Sequence, residues 1–386
     1  MPDASSSMSP PPEPFEELTL DQLRTRTSIK WSMYEPDVLP LWVAEMDAMP
    51  APAVVEAITD ALRRGDVGYP SMSTSYADAL AGVAARRWDW ELDVSATQTV
   101  ADVLTGVFAS ITLLTEPGDA VLVPSPVYPP LHEFTRQMGR EVVPVPITEE
   151  GRLDLGEIEA AMAHPRAKVL LLCSPHNPTG TVHTADELRA VAELTDAHGI
   201  EVLVDEIHGL LVPSGTAFVP WLTVADKGLV VTSASKAFNL AGLKAAVIVG
   251  GERSRAQVEA LPHSLAYGVS HIGAIGHMAA WNHGDAWIDA VNANIASNSA
   301  FLAELLAARI PAIGYRPVES TYLAWLDCTA LGLGEDPSVA FLERGRVALN
   351  AGPTFGPGGE GHVRINIAAS RDTLTDAVDR MAVTLG

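Results

Sequence analysis

Lys168–Gly180 reads KVLLLCSPHNPTG, Glu201–His208 reads EVLVDEIH and Leu229–Lys236 reads LVVTSASK. Each stretch opens as a short apolar run and closes on polar groups. Asp119–Val123 (DAVLV), followed by Pro124, Ser125, Pro126, Val127 and Tyr128, repeats the scheme, and Lys244–Val249 (KAAVIV) adds another apolar run. These runs are too continuous in Val, Leu and Ile for strands with one wet face, so the sheet they predict is covered on both sides. Between them lie helical patterns at Asp102–Leu114, Asp154–Ala163 and Ala185–His198. The last has Thr184 as an N-cap and an acidic first turn in Asp186 and Glu187. Strand and helix in alternation predict an α/β domain with a mostly parallel sheet.

Beyond about residue 285 the pattern changes. A long helical stretch, roughly Asp285–Ala308, is followed by strand-like pieces around Thr321–Asp327, Val347–Ala351 and His362–Ile367, and by a last helix from about Thr373. The expected organisation is a disordered tail over 1–14, a segment over 15–50 that joins the small domain, a large domain over 51–284 and a smaller α+β domain over 285–386. The tail, MPDASSSMSPPPEP, is rich in Ser and Pro and lacks the basic start and apolar core of a signal peptide.

Composition narrows the function classes. With 25 basic and 48 acidic residues the net charge is −23, so no basic surplus exists to neutralise the phosphates of nucleic acid or an anionic membrane. No apolar stretch is long enough to span a bilayer. The two cysteines, Cys173 and Cys328, cannot build a disulfide framework or a four-cysteine metal centre, and Cys173 sits in an apolar run as a core residue. The expectation is a cytoplasmic enzyme with a small ligand, without a metal, nucleic-acid or membrane partner.

In open α/β sheets ligands gather beyond the carboxyl ends of the strands. There the chain offers Tyr128, Asn177, Asp205 and Lys236, one after each of four apolar runs. Together they suit pyridoxal 5′-phosphate (PLP). A carboxylate beside the pyridine nitrogen keeps it protonated and makes the ring a better electron sink, and Asp205 is the candidate. The amide of Asn177 can donate to the ring oxygen, and Tyr128 can cover the ring. Lys236 can form the imine with the aldehyde and, once freed, act as base. Ser233 and Ser235 can donate to the phosphate, and a helix opening near Gly106 and Val107 would turn backbone N–H groups toward the same dianion. Asp205, Glu206 and His208 also resemble a metal-ligand set, but the lysine and asparagine at matching strand ends favour the cofactor.

The ordered set SPHNPTG, DEIH and SASKAFNLAGL resembles the fold-type I PLP family, the aspartate-aminotransferase superfamily, over about residues 30–380. The resemblance implies a large domain with a mixed, mostly parallel seven-stranded sheet and a smaller α+β domain. Trp31, Tyr34, LPLWVAEMDAMP (Leu39–Pro50), Gly68-Tyr69 and HGDAW (His283–Trp287) are similar to the MalY/PatB-type cystathionine β-lyases. That likeness implies that Lys236 carries the cofactor and Asp205 pairs with the ring nitrogen. It puts Asn177, with His208, at the ring oxygen, Tyr128 on the ring face and Lys244 on the phosphate. Tyr69 is expected on the phosphate of a neighbouring subunit, which implies a homodimer with shared sites. Arg364, in HVRINIA, is implied as a bidentate clamp for the substrate carboxylate, with Trp42 and Tyr34 also bordering the substrate.

Two departures stand out. Ala44-Glu45-Met46-Asp47-Ala48 replaces the family's Ala-Asp-Met-Asp-Phe at the substrate entrance, and Thr105 replaces a Pro ahead of Gly106. The implied activity is α,β-elimination on L-cystathionine or related S-substituted cysteines, giving a thiol, pyruvate and ammonia, with a place in methionine biosynthesis. An aminotransferase would use the same cofactor residues, and a regulatory PLP-fold binding protein would retain them. Only the narrower likeness, carried by LPLWVAEMD and HGDAW, favours the lyase.

Overall fold

The apolar runs become the centre of one sheet of seven strands: Thr97–Val100 (β1), Ala120–Ser125 (β2), Glu141–Pro146 (β3), Ala167–Cys173 (β4), Glu201–Asp205 (β5), Leu229–Thr232 (β6) and Ala246–Gly250 (β7). A computed structural model describes residues 13–213 and 215–385 and orders the sheet β1-β7-β6-β5-β4-β2-β3. From β6 to β3 all neighbours are parallel, whereas β7 is antiparallel to both β6 and β1. The carboxyl ends of β2, β4, β5 and β6 therefore share one edge. Because β7 runs the other way, that edge also receives the start of β7 and the end of β1.

Alternate residues of the strands serve two cores. Val121, Val123, Val169, Leu171, Leu203, Val231 and Ile248 pack with Val107 and Ile111 of the helix Val103–Leu114. Leu122, Leu170, Leu172, Val202, Val204, Val230 and Val247 face a larger core that also takes in C-terminal residues such as Leu302, Leu323, Ile365 and Met381. Every residue of β2, β6 and β7 is buried, as two-sided cover requires. The two strands that the apolar runs do not announce, β1 (TQTV) and β3 (EVVPVP), are the sheet's edges. An edge tolerates polar residues and proline, so the signature of a central strand is missing there.

The helix Ala185–His198 opens on a reciprocal capping box between Thr184 and Glu187 and ends on Gly199 at φ 67°. At Gly106 an added Cβ would come within 2.6 Å of Val231 Cγ1, so glycine lets the helix Val103–Leu114 lie directly on the sheet.

Four antiparallel strands, Gly314–Tyr315 (β8), Leu323–Asp327 (β9), Asn350–Ala351 (β10) and His362–Asn366 (β11), form a second sheet in the order β10-β11-β9-β8. The helices Asp285–Arg309 and Arg371–Thr384 pack together in this region. The strand expected over Val347–Ala351 is split. Val347–Ala348 pairs in parallel with Leu39–Pro40, and only Asn350–Ala351 joins β11. Residues 1–12 of the expected tail lie outside the described residues. Within the described residues Pro14 is buried and Phe15 is fully buried, its N–H donating to Asn294 Oδ1 at 3.2 Å. Among the described residues no helix is long and apolar enough to cross a membrane.

Candidate active site

A cavity of about 310 Å³ lies on the shared strand edge, lined by Trp42, Asp102, Val103, Leu104, Tyr128, Asn177, Asp205, His208, Ser235, Lys236, Lys244, Asn350 and Arg364, among others. Its volume falls in the range that holds small ligands and cofactors. Asp205 ends β5, and its Oδ1 accepts from the Ile207 N–H at 3.1 Å. Burial pushes its carboxyl up to about 6, against the pull of that N–H and of Lys236. Among the described residues this carboxylate makes no direct ion pair, and a protonated pyridine nitrogen would supply one.

Lys236 follows β6, and its Nζ donates to the Ala44 carbonyl at 3.2 Å. Burial, with the Arg364 charge, lowers its ammonium to about 8, while Asp205 and Glu45 pull the other way. A lysine in this state has an accessible neutral form near neutrality, which a nucleophile or base requires. Asn177 follows β4. Its Oδ1 accepts from Arg364 Nη1 at 2.9 Å, so the amide nitrogen is the atom left to donate into the cavity. Its carbonyl also accepts from the Tyr128 N–H at 3.0 Å, which ties the loops after β2 and β4 together.

His208 is buried, its Nδ1 has no hydrogen-bond partner among the described residues, and burial with the charges of Lys236 and Arg364 lowers it to about 3. It is therefore a neutral imidazole with a free ring nitrogen. Arg364 reaches the cavity from β11 and also donates to the Trp42 carbonyl at 3.1 Å, leaving further N–H groups for a carboxylate.

The phosphate end differs from the sequence expectation. Gly106 and Val107 are buried away from the cavity, and the Gly106 N–H already donates to the Asp102 carbonyl at 3.0 Å. The first helical residues are Val103 and Leu104, and these line the cavity. The open N–H groups thus lie one turn earlier, and Gly106 serves helix–sheet packing. Asp102 caps the helix, with Oδ1 accepting from the Thr105 N–H at 2.8 Å and Oδ2 from Lys244 Nζ at 3.0 Å. Ser235 lines the cavity, but Ser233 does not: its hydroxyl donates to the Ala245 carbonyl at 2.7 Å and accepts from the Ser235 N–H. Ser233 is a brace for the Lys236 loop.

Two expected residues stand off this cavity. Tyr69 is 91% exposed on the connection between the helices Pro52–Arg63 and Ser75–Trp88. Tyr34 lies behind the wall, edge-on to Trp42 at 6.0 Å between ring centroids. The structure adds Asp102, Ile207 and Asn350, of which only the helix-capping Asp102 leaves a readable signal in sequence.

The wall from Trp42 to Met46 has no regular structure, yet each of its carbonyls accepts from a side chain. Trp42 is bound by Arg364, Val43 by Asn366, Ala44 by Lys236 and Tyr322, Glu45 by Lys30 and Asn366, and Met46 by Arg26 and Asn239. Beneath this strap Lys30 and Asp47 form a buried ion pair at 2.5 Å.

Comparison with known proteins agrees with this architecture. The family model described as aminotransferase class I and II matches residues 36–381. A relative from Mycobacterium tuberculosis, provisionally named cystathionine beta-lyase, is 44% identical over 97% of this chain and 98% of its own length. Cystathionine beta-lyase PatB from Bacillus subtilis is 31% identical over 93% of this chain and 96% of its own. A solved structure from Corynebacterium diphtheriae, provisionally described as a PLP-dependent beta-cystathionase, superposes with a TM-score of 0.90 at 34% identity, covering 95% of this chain and 98% of that one. The chain belongs to the aminotransferase class I and II family, in its cystathionine β-lyase branch.

Proposed function

We propose that the chain is a PLP-dependent carbon–sulfur β-lyase that acts on L-cystathionine or related S-substituted cysteines. The observation that carries the reading is the make-up of the cavity. An amine, a carboxylate and a guanidinium converge there, and much of the remaining wall is Trp42, Val43, Pro129, Pro130 and Ile207, with Asn350 as a neutral polar group. A thioether side chain suits such a wall. An oxo-acid acceptor with a second carboxylate would need a further cation, and among the described residues the cavity's cations are Lys236, Lys244 and Arg364. The names of the relatives support the same choice over an aminotransferase.

Bound PLP supplies an electron-withdrawing ring in conjugation with the substrate nitrogen, which makes the α C–H acidic. Arg364 holds the α-carboxylate with the N–H groups not committed to Asn177 and Trp42. Lys236 Nζ, lowered to about 8 by burial and Arg364, takes the α-proton. The β C–S bond breaks, sulfur leaves with the electron pair, and the proton now on Lys236 is at hand for the thiolate. With PLP in the cavity, Asp205 would keep the ring nitrogen protonated, Asn177 and His208 would serve the ring oxygen, and Tyr128 would cover the ring. Ser235, Lys244 and the N–H groups of Val103 and Leu104, which border the same cavity, would hold the phosphate. Hydrolysis of the released three-carbon product yields pyruvate and ammonia, and cystathionine would give homocysteine as the thiol.

The reading includes a homodimer in which the exposed Tyr69 reaches the phosphate of the second chain, and a cytoplasmic role in methionine biosynthesis. It divides the chain into a cofactor-binding domain over 51–284 and a small domain over 285–386, bridged by residues 15–50. The test follows pyruvate after mixing protein, PLP and L-cystathionine, with and without an added 2-oxo acid. Pyruvate without acceptor supports the lyase. Turnover that strictly needs the oxo acid supports an aminotransferase, and a yellow but inert protein supports a binding role.

A further inference from the structure

Tyr322 precedes β9 and is fully buried, far in sequence from every residue assigned above. Its hydroxyl donates to the Ala44 carbonyl at 3.1 Å. That same oxygen accepts from Lys236 Nζ at 3.2 Å. One backbone acceptor thus serves a phenol from the small domain and the amine from the large one. A carbonyl has two lone pairs, so both bonds can exist together, but each donor weakens the other by drawing on the same electron density.

We propose that Tyr322 is a positioning residue for Lys236: its hydroxyl pins the Ala44 carbonyl on which the free Lys236 amine rests, and thereby sets how readily that amine holds a proton. The proposal rests on the reading of Lys236 as the lysine that bonds to PLP. When the amine is bonded to cofactor, Ala44 O keeps Tyr322 as its donor. When substrate displaces the amine, Nζ has a carbonyl fixed in place to receive it.

Burial holds the Tyr322 phenol far above its ordinary range, so at working pH it remains a neutral donor. The charged groups acting on Lys236 come from several elements. Asp205 at the end of β5 and Glu45 in the strap favour the ammonium, while Arg364 on β11 and Lys244 ahead of β7 oppose it. His208 stays neutral and does not titrate against it near neutrality. Removal of the Tyr322 hydroxyl leaves all of these in place and frees Ala44 O to accept more strongly from the ammonium. Lys236 in Tyr322→Phe should therefore hold its proton to higher pH, by about half to one pH unit if one hydrogen bond's net worth is redistributed.

The experiment strips PLP from the full chain and follows the growth of the visible cofactor band as PLP is added back between about pH 6 and 10. Only the neutral amine attacks the aldehyde carbon. A bond forms from Nζ to that carbon and the aldehyde oxygen leaves as water, so the rate against pH reports the titration of Lys236. Wild type and Y322F meet the same ligand, so a difference in midpoint belongs to the protein. The expected result is a midpoint shifted upward in Y322F, with the same final band. Coincident midpoints, or a uniform slowing at every pH, would overturn the proposal, because a merely structural role moves the rate and not the midpoint. If Y322F does not fold, Tyr322→Leu takes its place with the same expected direction. A wild-type protein without a band, or K236A that retains one, would instead overturn the lysine reading.

Discussion

The buried pair Lys30–Asp47 offers a sharp test of how the cavity wall is held. Both side chains are essentially inaccessible, at 0% and 1% exposure, and lie 2.5 Å apart. Burial drives the Asp47 carboxyl upward, and the Lys30 charge acts against that rise. Asp47→Ala leaves the Lys30 ammonium with the Glu45 carbonyl at 3.1 Å, a neutral partner. Removal of one member of a buried ion pair costs about 3–5 kcal/mol, because the survivor stays desolvated and uncompensated. For a chain of 386 residues, a loss of about 4 kcal/mol corresponds to a fall of about 5 °C in the unfolding midpoint. Lys30→Met combined with Asp47→Leu removes both charges at similar volume and should return the midpoint to within about 2 °C of wild type, since such apolar replacements are commonly neutral or stabilising. Thermal unfolding of wild type, D47A, K30M and the double variant, each saturated with PLP, makes the comparison. A double variant as unstable as the singles, or a D47A protein within about 1 °C of wild type, would refute the reasoning.

Arg364→Lys keeps a positive charge but loses the fork that serves substrate, Asn177 and Trp42 together; kcat/KM should fall by about a hundredfold, the equivalent of about 3 kcal/mol, with most of the change in KM. Steady-state kinetics with an unchanged KM would contradict the carboxylate clamp. In Gly106→Ala the new Cβ meets Val231 Cγ1 at 2.6 Å and Val100 Cγ2 at 3.2 Å, which lifts the start of the helix from the sheet; PLP affinity should weaken about tenfold, as a spectroscopic titration would read, and wild-type affinity would count against the helix start as the phosphate site. Glu206 is raised by burial to about 8 from an ordinary 4.5, while its Oε1 accepts from the Trp221 N–H at 2.6 Å. The folded state thus holds a proton that the unfolded state has released, so the contribution of this group is complete below about pH 4.5 and is lost as pH rises through about 8. Glu206→Gln keeps the acceptor without the titration, and its midpoint relative to wild type should climb between pH 5 and 8.5; a difference independent of pH would exclude Glu206 as the source.

Much of the cofactor site is legible in sequence because it sits where short apolar strands stop. Leu229–Thr232 is a strand with the bounds expected from its composition, and the residues just past β2, β4, β5 and β6 converge as the doubly wound rule requires. The edges of the sheet are not legible, since Thr97–Val100 and Glu141–Pro146 carry the polar residues and prolines that an edge admits. Gly106 misleads for a physical reason: a glycine near a helix start fits close approach to a phosphate and close approach to a sheet equally well, and only the neighbours decide between them. Ser233 misleads similarly, because a hydroxyl beside a functional lysine can brace its loop. The segment from Trp42 to Met46 is expected at the substrate entrance, but the way its carbonyls are held is invisible in sequence for a deeper reason. Its contribution comes from backbone carbonyls, which every residue possesses, and their role depends on donors such as Tyr322, Asn366 and Asn239 that lie elsewhere in the chain.

The adjacency of β2, β4, β5 and β6 also bears on how the protein acquires its cofactor during synthesis. Tyr128, Asn177, Asp205 and Lys236 emerge from the ribosome in that order, yet they form one surface only after β5 has docked between β4 and β6. Parallel pairing of this kind is slow, because long connections must close before any strand contact is rewarded. A nascent chain that ends short of Lys236 has most of the cradle but no amine to bind with. PLP that binds through Lys236 would therefore favour the completed fold over any shorter nascent chain, and would add to its stability by mass action.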